Sequence, residues 1–312
     1  MNQVRNRVRR SSPTRPLKMD TSDAFAEAWL THRGFLLGIA YRLLGSYSDA
    51  EDVVQEAFAR LLRSELDPIE DVRGWLVVVV SRLCFDQLRS ARMRHERYAG
   101  AHFPEPLIGP QDNATDALDL VTLDESVRMT FLIALERMSP AERVVFVLHD
   151  VFEYSFEQVA SIVGRSAAAC RQLASRARRW LKNESGSPRF PMNTEEQSRV
   201  VDAFIAACST GNMVALLQLL DPAVMGWADA GRHPSSLSEP IVGAQRVATG
   251  VMRFFAPRSG TRLEARPVNG EPGILAVRHA AVFAVVVLTV KQGLITELYA
   301  QADPRKLTHV SA

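Results

Sequence analysis

Residues 154–182 read YSFEQVASIVGRSAAACRQLASRARRWLK. Phe156, Val159, Ala160, Ile162 and Val163 recur at three- and four-residue spacing, which predicts a short amphipathic helix ended by Gly164. Ser166 is placed to cap a second helix whose inward positions are Cys170, Leu173, Ala174, Ala177 and Leu181. Its outward positions are Arg171, Gln172, Ser175, Arg176 and Arg179. Two short helices joined by a glycine turn, the second carrying Arg and Gln outward, have the geometry of a helix-turn-helix. Arg pairs with guanine edges and phosphates, and Gln with adenine. The small residues Ala167, Ala168 and Ala169 let that helix start approach a groove closely. The competing reading is an ordinary helix pair with a solvated basic face.

Upstream, residues 124–182 read as one helical unit. Val127, Phe131, Leu132, Leu135 and Met138 are helically spaced, and Ser139 with Pro140 restarts a helix with a cap and a proline at its first position. Residues 99–123 contain Gly100, Pro104, Pro106, Gly109 and Pro110 and read as an extended linker. Before it, residues 23–98 are helical again. Phe35, Leu36, Ile39, Ala40, Leu43 and Leu44 mark one helix, and Val53, Val54, Ala57, Phe58, Leu61 and Leu62 a second, with Ser48 as the expected N-cap and Glu51 three residues on. A third helix, from about residue 72 to 97, has an apolar first half and a second half rich in Arg82, Arg89, Arg92, Arg94 and Arg97. Such a basic end can neutralise phosphates or simply be solvated. The second helix is acidic instead, with Asp49, Glu51, Asp52 and Glu56 around Gln55. Paired carboxylates can do acid–base or metal chemistry. No His, Gly-rich loop or second carboxylate cluster accompanies them, so a docking face for a basic protein surface fits better.

The rest of the 312 residues follows the same logic. Residues 1–22 form a basic arm, read as disordered, and residues 183–193 a second linker. Residues 194–312 begin with two helices (Val200 to Cys208, then Val214 to Leu220) and continue in strand-like runs at 263–268, 274–278, 281–290 and 294–299. Helices first and consecutive strands afterwards indicate an α+β domain. Charge is balanced at +2, so only its distribution is informative. Cys84, Cys170 and Cys208 are an odd, scattered set, which argues against a disulfide framework or a zinc site and for a cytoplasmic protein. No apolar run approaches the roughly 20 residues that span a bilayer, and no signal peptide follows the basic start.

These stretches resemble a known family. DAEDVVQEAF (49–58), GWL (74–76) followed by DQLRSAR (86–92), LERMSPAER (135–143), and YSFEQVA (154–160) running into RQLASRAR (171–178) look like bacterial sigma factors of the extracytoplasmic-function group, within the sigma-70 family. The resemblance implies two all-α domains, a region-2 helical bundle and a region-4 helix-turn-helix. It implies core RNA polymerase and promoter DNA as partners, no cofactor, no metal and a role in stress-responsive transcription. Carried over by position, Asp49, Glu51, Asp52, Gln55 and Glu56 fall on the polymerase face. Arg82, Asp86, Arg89, Ser90 and Arg92 fall on the promoter-melting helix that reads the −10 element. Arg171, Gln172, Ser175, Arg176 and Arg179 fall on the recognition helix for the −35 element.

The final third resembles the SnoaL-like extension of SigJ-like sigma factors, an α+β cone. Its motifs are FPEPL (Phe103, Pro104, Glu105, Pro106 and Leu107), DAGRH from Asp229, and DPRKL (Asp303, Pro304, Arg305, Lys306 and Leu307). The family pattern departs here at Ala230, Arg232, His233 and Arg305. The resemblance implies that this domain contacts the linker and a sigma domain in place of a separate anti-sigma protein. Phe103 and Leu107, apolar residues beside prolines, read as a docking strip, with Trp227 and the 303–307 tail offering partner surface. Some SnoaL-like relatives are isomerases or cyclases, for which Asp202, Asp229, His233 and His279 are the candidate bases. Three functions therefore compete in order: an initiation factor with a fused regulatory domain, a ligand-sensing transcription factor, and a bifunctional enzyme.

Overall fold

The computed structural model describes residues 21–64, 69–95, 103–108, 127–184, 194–231, 239–308 and 310. Residues 1–20 of the basic arm, most of the 99–123 linker, residues 185–193, Arg97, Arg232, His233 and the side chains of Arg92 and Arg94 lie outside this set. Helix α1 (Thr21–Leu44) runs into Gly45, whose φ of 67° ends it. A side chain here is strained by that left-handed backbone, and a Cβ would lie 2.5 Å from Glu136 Oε1, so that carboxylate would have to shift. Helix α2 (Tyr47–Arg63) is capped by Ser46, which accepts from the Asp49 N–H at 3.2 Å. This corrects the expectation of Ser48, and the physical reason is the turn at Gly45, which leaves Ser46 as the last extended residue. Helix α3 (Val72–His95) lies against both, with Leu76, Val77, Val80 and Cys84 buried. Phe58 of α2 takes the edges of Trp29 and Phe25 at 4.8 and 5.7 Å, which ties α1 to α2.

The second helical group comprises α4 (Met129–Glu136), α5 (Pro140–Phe146), a π-helical turn (Val147–Val151), α6 (Phe156–Val163) and α7 (Ala167–Glu184). Ser139 with Glu142, and Ser155 with Gln158, close capping boxes at the starts of α5 and α6. Gly164 turns at φ 66°, and Ser166 Oγ accepts from Ala169 N–H at the start of α7.

The two helical groups share one apolar core that runs from Leu36 to Leu181 and includes Leu107. Arg143, 3% exposed, crosses between them: it donates to Leu43 O and Leu135 O at 2.8 Å each and pairs with Glu136 at 2.8 Å. Arg82 on α3 donates to Ser161 O on α6 at 3.0 Å.

In the C-terminal part, α8 (Thr194–Thr210), α9 (Met213–Leu219) and α10 (Ala244–Phe255) cover one face of a six-stranded sheet ordered β2-β1-β6-β5-β4-β3. Strands β3 (Arg262–Val268), β4 (Glu271–Arg278), β5 (Ala281–Lys291) and β6 (Leu294–Gln301) form an antiparallel meander. Its two-residue turns, Asn269-Gly270, His279-Ala280 and Gln292-Gly293, all have positive φ, as the tight hairpin turns require. Strand β1 (Leu220–Asp229) pairs in parallel with β6 and antiparallel with β2 (Ile241–Val242). This is the expected α+β domain, preceded by two all-α groups. The expected order of helices and then strands needs a correction, because β1, β2 and α10 come before the meander. Strand β1 carries Pro222 and Gly226, poor strand formers, so its pairing partner rather than its composition decides its state.

The opposite sheet face is also buried. Leu275, Val277, Val285, Val287, Tyr299 and Leu307 meet Phe103, Met129 and Ile133. This explains why β4 and β5 read as nearly continuous apolar runs rather than alternating ones. Replacing Arg143 with Ala removes a guanidinium from two buried carbonyls and a carboxylate. The expected loss is about 3 kcal/mol, read from the first denaturant transition by tryptophan fluorescence. An unchanged midpoint would exclude this contact as a tie between the helical groups.

Candidate nucleic-acid interface and interdomain junction

Helix α7 presents Arg171, Gln172, Ser175, Arg176 and Arg179 to solvent, while Cys170, Leu173, Ala174, Ala177 and Leu181 are buried. Arg178 pairs closely with the largely buried Asp150 at 2.5 Å, whereas two arginines are held loosely by acids of neighbouring helices, Arg171 by Glu157 at 3.0 Å and Arg176 by Glu142 at 3.6 Å. Exposed pairs of this kind contribute little stability, so an incoming phosphate can replace the carboxylate. Arg178 was not among the expected site residues, and its place beside the exposed row shows only once α7 is packed.

On α3, Asp86, Arg89 and Ser90 are exposed, with the Arg89 guanidinium 5.7 Å from the Phe85 ring centroid. Arg82 is engaged with α6 as described, and the Arg92 side chain lies outside the described residues.

The acidic residues of α2 are less uniform than their spacing suggests. Asp52 and Gln55 are exposed. Glu51 pairs with Arg33 at 2.7 Å, and Glu56 reaches Arg60 at 2.8 Å and Arg63 at 3.4 Å. The hydrogen bond from Arg60 holds the Glu56 carboxyl below its ordinary range. Asp49 is half-buried, and desolvation, followed by the nearby Glu105 charge, pushes its carboxyl up.

Glu105 belongs to the strip of residues 103–108, which crosses between the helical regions and the C-terminal sheet. Its carboxylate accepts from Tyr47 N–H at 2.7 Å and Ser46 Oγ at 3.0 Å, so it sits on the positive N-terminus of α2. Its backbone N–H donates to Gly45 O at 2.7 Å, and its carbonyl accepts from the Tyr41 hydroxyl at 2.7 Å. Phe103 is buried edge-on against Tyr299, with ring centroids 5.5 Å apart. Its N–H donates to Asp229 Oδ2 at 2.9 Å, and its carbonyl accepts from Lys306 Nζ at 2.5 Å and Gln301 Nε2 at 3.1 Å. Lys306 Nζ also donates to Asp229 Oδ2 at 2.9 Å. Burial alone would raise the Asp229 carboxyl, but the Lys306 ammonium and the Phe103 and Gly231 N–H groups hold it below its ordinary range.

Pro104 and Pro106 are buried in the strip, and Ile108 bridges Val268 in antiparallel register, extending the sheet edge. In the tail, Asp303 accepts from Arg305, whose guanidinium is the main cause of its lowered carboxyl, while Pro304 is exposed and Leu307 is buried. Trp227 lies under the Arg137 guanidinium of the second helical group, 5.0 Å from its ring centroid.

Among the described residues, the candidate bases are not brought together. Asp202 is exposed on α8, His279 sits in an exposed turn, Asp229 is committed to Lys306 and the strip, and His233 is not described. The side of the sheet that faces α8 to α10 is packed with apolar residues, among them Phe204, Leu216, Val251, Ile274, Val286 and Leu298. Sequence reasoning missed Tyr41, Arg128, Arg143, Asn269, Glu271 and Gln301 at the junction. The Asn269-Gly270 dipeptide between two strand runs marks a hairpin turn, but nothing in it marks a contact.

A helix-turn-helix with an exposed basic recognition face, joined to a second helical bundle, defines the class as a DNA-binding transcription factor. Family models for Sigma-70 region 2 and Sigma-70 region 4 match residues 22–94 and 128–181. The chain is 42% identical over 301 residues to a protein of Mycobacterium tuberculosis named as a probable ECF RNA polymerase sigma factor, SigI, covering 94% of this chain and 98% of that one. It is 38% identical to the ECF sigma factor SigJ of the same organism, over 88% of this chain and 91% of that one. The crystal structure of SigJ superposes with a TM-score of 0.70 at 34% identity, over 93% of this chain and 98% of that one. The chain belongs to the extracytoplasmic-function (ECF) RNA polymerase sigma factors of the sigma-70 family. It is an alternative sigma factor, which binds core RNA polymerase and promoter DNA to direct transcription initiation, and it is not an enzyme. Among the described residues, no helix is long and apolar enough to cross a membrane.

Glu271 closes the junction on the β3–β4 hairpin. It is 3% exposed, lies 3.6 Å from Arg128 at the start of region 4, and has no hydrogen-bond donor on either oxygen among the described residues. Desolvation pushes its carboxyl up to about 7, against the opposing charge of Arg128. A carboxyl raised in the folded state binds more protons there than when unfolded. Its favourable contribution is therefore complete below the ordinary value of 4.5 and is lost as pH rises through about 7. Glu271→Gln is expected to flatten the fall in melting temperature between those two values, and an unchanged pH profile would exclude Glu271 as its source.

Proposed function

We propose that this sigma factor is regulated by its own C-terminal domain, which holds regions 2 and 4 folded together until core polymerase or promoter draws them apart. The reading uses the domain division expected from the sequence: region 2 at 23–98, a linker at 99–123, region 4 at 124–182, a second linker at 183–193 and a regulatory domain at 194–312. It rests on one observation above all: the strip Phe103 to Leu107 is bonded to region 2 through Gly45 and Tyr41, and to the C-terminal domain through Asp229, Gln301 and Lys306.

Asp49, Glu51, Asp52, Gln55 and Glu56 are proposed to face core polymerase, with Asp52 and Gln55 as the open centre of that face. Arg82, Asp86, Arg89, Ser90 and Arg92 are proposed to engage the −10 element, and Arg171, Gln172, Ser175, Arg176 and Arg179 the −35 element. Those elements lie about 25 base pairs, or about 85 Å, apart along B-DNA. A helix that donates to its partner domain, as Arg82 does to Ser161 O, cannot span that length, so promoter reading requires the regions to separate. Phe103, Pro104, Glu105, Pro106, Asp229, Asp303, Pro304, Lys306 and Leu307 are the proposed regulatory contacts. The site of action is the cytoplasm, where the homologous sigma factors meet polymerase.

Run-off transcription with purified core polymerase tests this. Asp229→Ala combined with Lys306→Ala is expected to change promoter-dependent transcript yield several-fold. Parental yield would remove the regulatory role. Asp52→Lys with Gln55→Lys is expected to weaken binding to core polymerase about tenfold while leaving the melting temperature within a few degrees. Retention of full binding would move the polymerase face elsewhere. Arg171→Ala or Gln172→Ala should cost about 1–3 kcal/mol at particular −35 positions. An equal loss on all sequences would make that residue a phosphate contact instead.

A further inference from the structure

The tip of the β3–β4 hairpin enters the junction from the C-terminal domain. Asn269, 1% exposed, stands there with φ 52°, a left-handed conformation that Asn and Gly tolerate. Its side-chain amide donates to the Tyr41 hydroxyl of region 2 at 2.7 Å and to Val127 O, at the entry to region 4, at 2.8 Å. Its side-chain oxygen accepts from Leu107 N–H of the linker at 2.9 Å, and its own N–H donates to Leu107 O at 2.7 Å. The proton order is determined throughout. Tyr41 donates to Glu105 O, so its hydroxyl oxygen is left to accept from Asn269, and Val127 O can only accept. Both amide hydrogens and the amide oxygen are thus used, each on a different segment of the sigma core.

We propose that Asn269 is the latch of the closed state, a positioning residue that registers region 2, the linker and region 4 together and releases them as a unit. This rests on the regulatory reading above. It adds that the release point is the hairpin tip rather than the Asp229–Lys306 pair. A side chain bonded to three segments holds only when all three are in place, so withdrawal of any one weakens the other two. Asp at 269 preserves the turn but sets an oxygen against two acceptors, while Gly preserves the turn and deletes every side-chain bond.

The test uses the full chain with dyes at Leu62→Cys and Lys182→Cys, both exposed sites, against three native cysteines that are all buried. Single-molecule energy transfer reads the separation of regions 2 and 4, and titration with core polymerase reads the competent fraction. Asn269→Gly and Asn269→Asp are each expected to raise the open-to-closed ratio about tenfold and to tighten apparent polymerase binding in proportion. Tyr41→Phe should open the chain less, and in the Asn269→Gly background should add only the effect of its lost bond to Glu105 O, because the bond shared with Asn269 is already gone. Circular dichroism of both hairpin variants must match the parent, which separates opening from a misfolded domain. If one variant unfolds, the other decides. Parental separations in the folded Asn269 variants would overturn the latch. In that case Asp229→Ala with Lys306→Ala still reports on the regulatory reading, which stands if that pair opens the chain and falls with the latch if it does not.

Discussion

A buried backbone must have every N–H and carbonyl partnered, and residues 103–107 meet that demand in an unusual place, between domains rather than inside one. Pro104 and Pro106 have no N–H to satisfy. The three donors that remain alternate along the strip: Phe103 N–H to Asp229, Glu105 N–H to Gly45 O, and Leu107 N–H to Asn269. The first and third point to the C-terminal domain and the second to region 2, so the strip departs from a regular strand, in which residues two apart face the same side. The prolines hold the segment extended and at the same time remove two donors that would otherwise be stranded.

The same strip carries structure from one domain to the next. Glu105 adds a second carboxylate to the N-terminus of α2, beside Asp49 of its first turn, so the helix proposed to meet polymerase is capped partly from the linker. Gly45 is where the constraints converge, with Glu105 on its carbonyl, and Glu136 and Pro104 lining the space a Cβ would need. Arg143 reaches the neighbouring Leu43 carbonyl from region 4. Three parts of the chain thus meet at one turn of region 2, and motion of any of them is felt by α2.

The bonds at this junction differ in strength in a way that suits a protein that must open. Buried contacts such as Asp229–Lys306 and Asn269–Tyr41 are directional and lose their partner when separated, which makes the closed state specific. The ion pairs on the proposed DNA-facing side, Arg171–Glu157 and Arg176–Glu142, are solvent-exposed and easily exchanged. Glu271 opposes closure when it is charged, because Arg128 at 3.6 Å gives it no hydrogen bond to offset desolvation.

Local spacing alone determined the helix-turn-helix. The caps at Ser139, Ser155 and Ser166, the stop at Gly164, and the division of α7 into an apolar and a basic face all depend on neighbours within a few residues. The meander β3 to β6 was legible for the same reason, since its turns and apolar runs are continuous in the chain. Strand β1 and helix α10 were not, because Pro222 and Gly226 speak against a strand until β6 lies alongside. The acidic row of α2 was legible as a row, but the raised carboxyl of Asp49 owes part of its shift, after desolvation, to the charge of Glu105, more than fifty residues away. Asn269 and Tyr41 are 228 residues apart, and nothing near either one names the other. Hydrogen bonds of that range exist only after the domains have packed, so the tertiary structure decided the junction, while the sequence determined the elements that meet there.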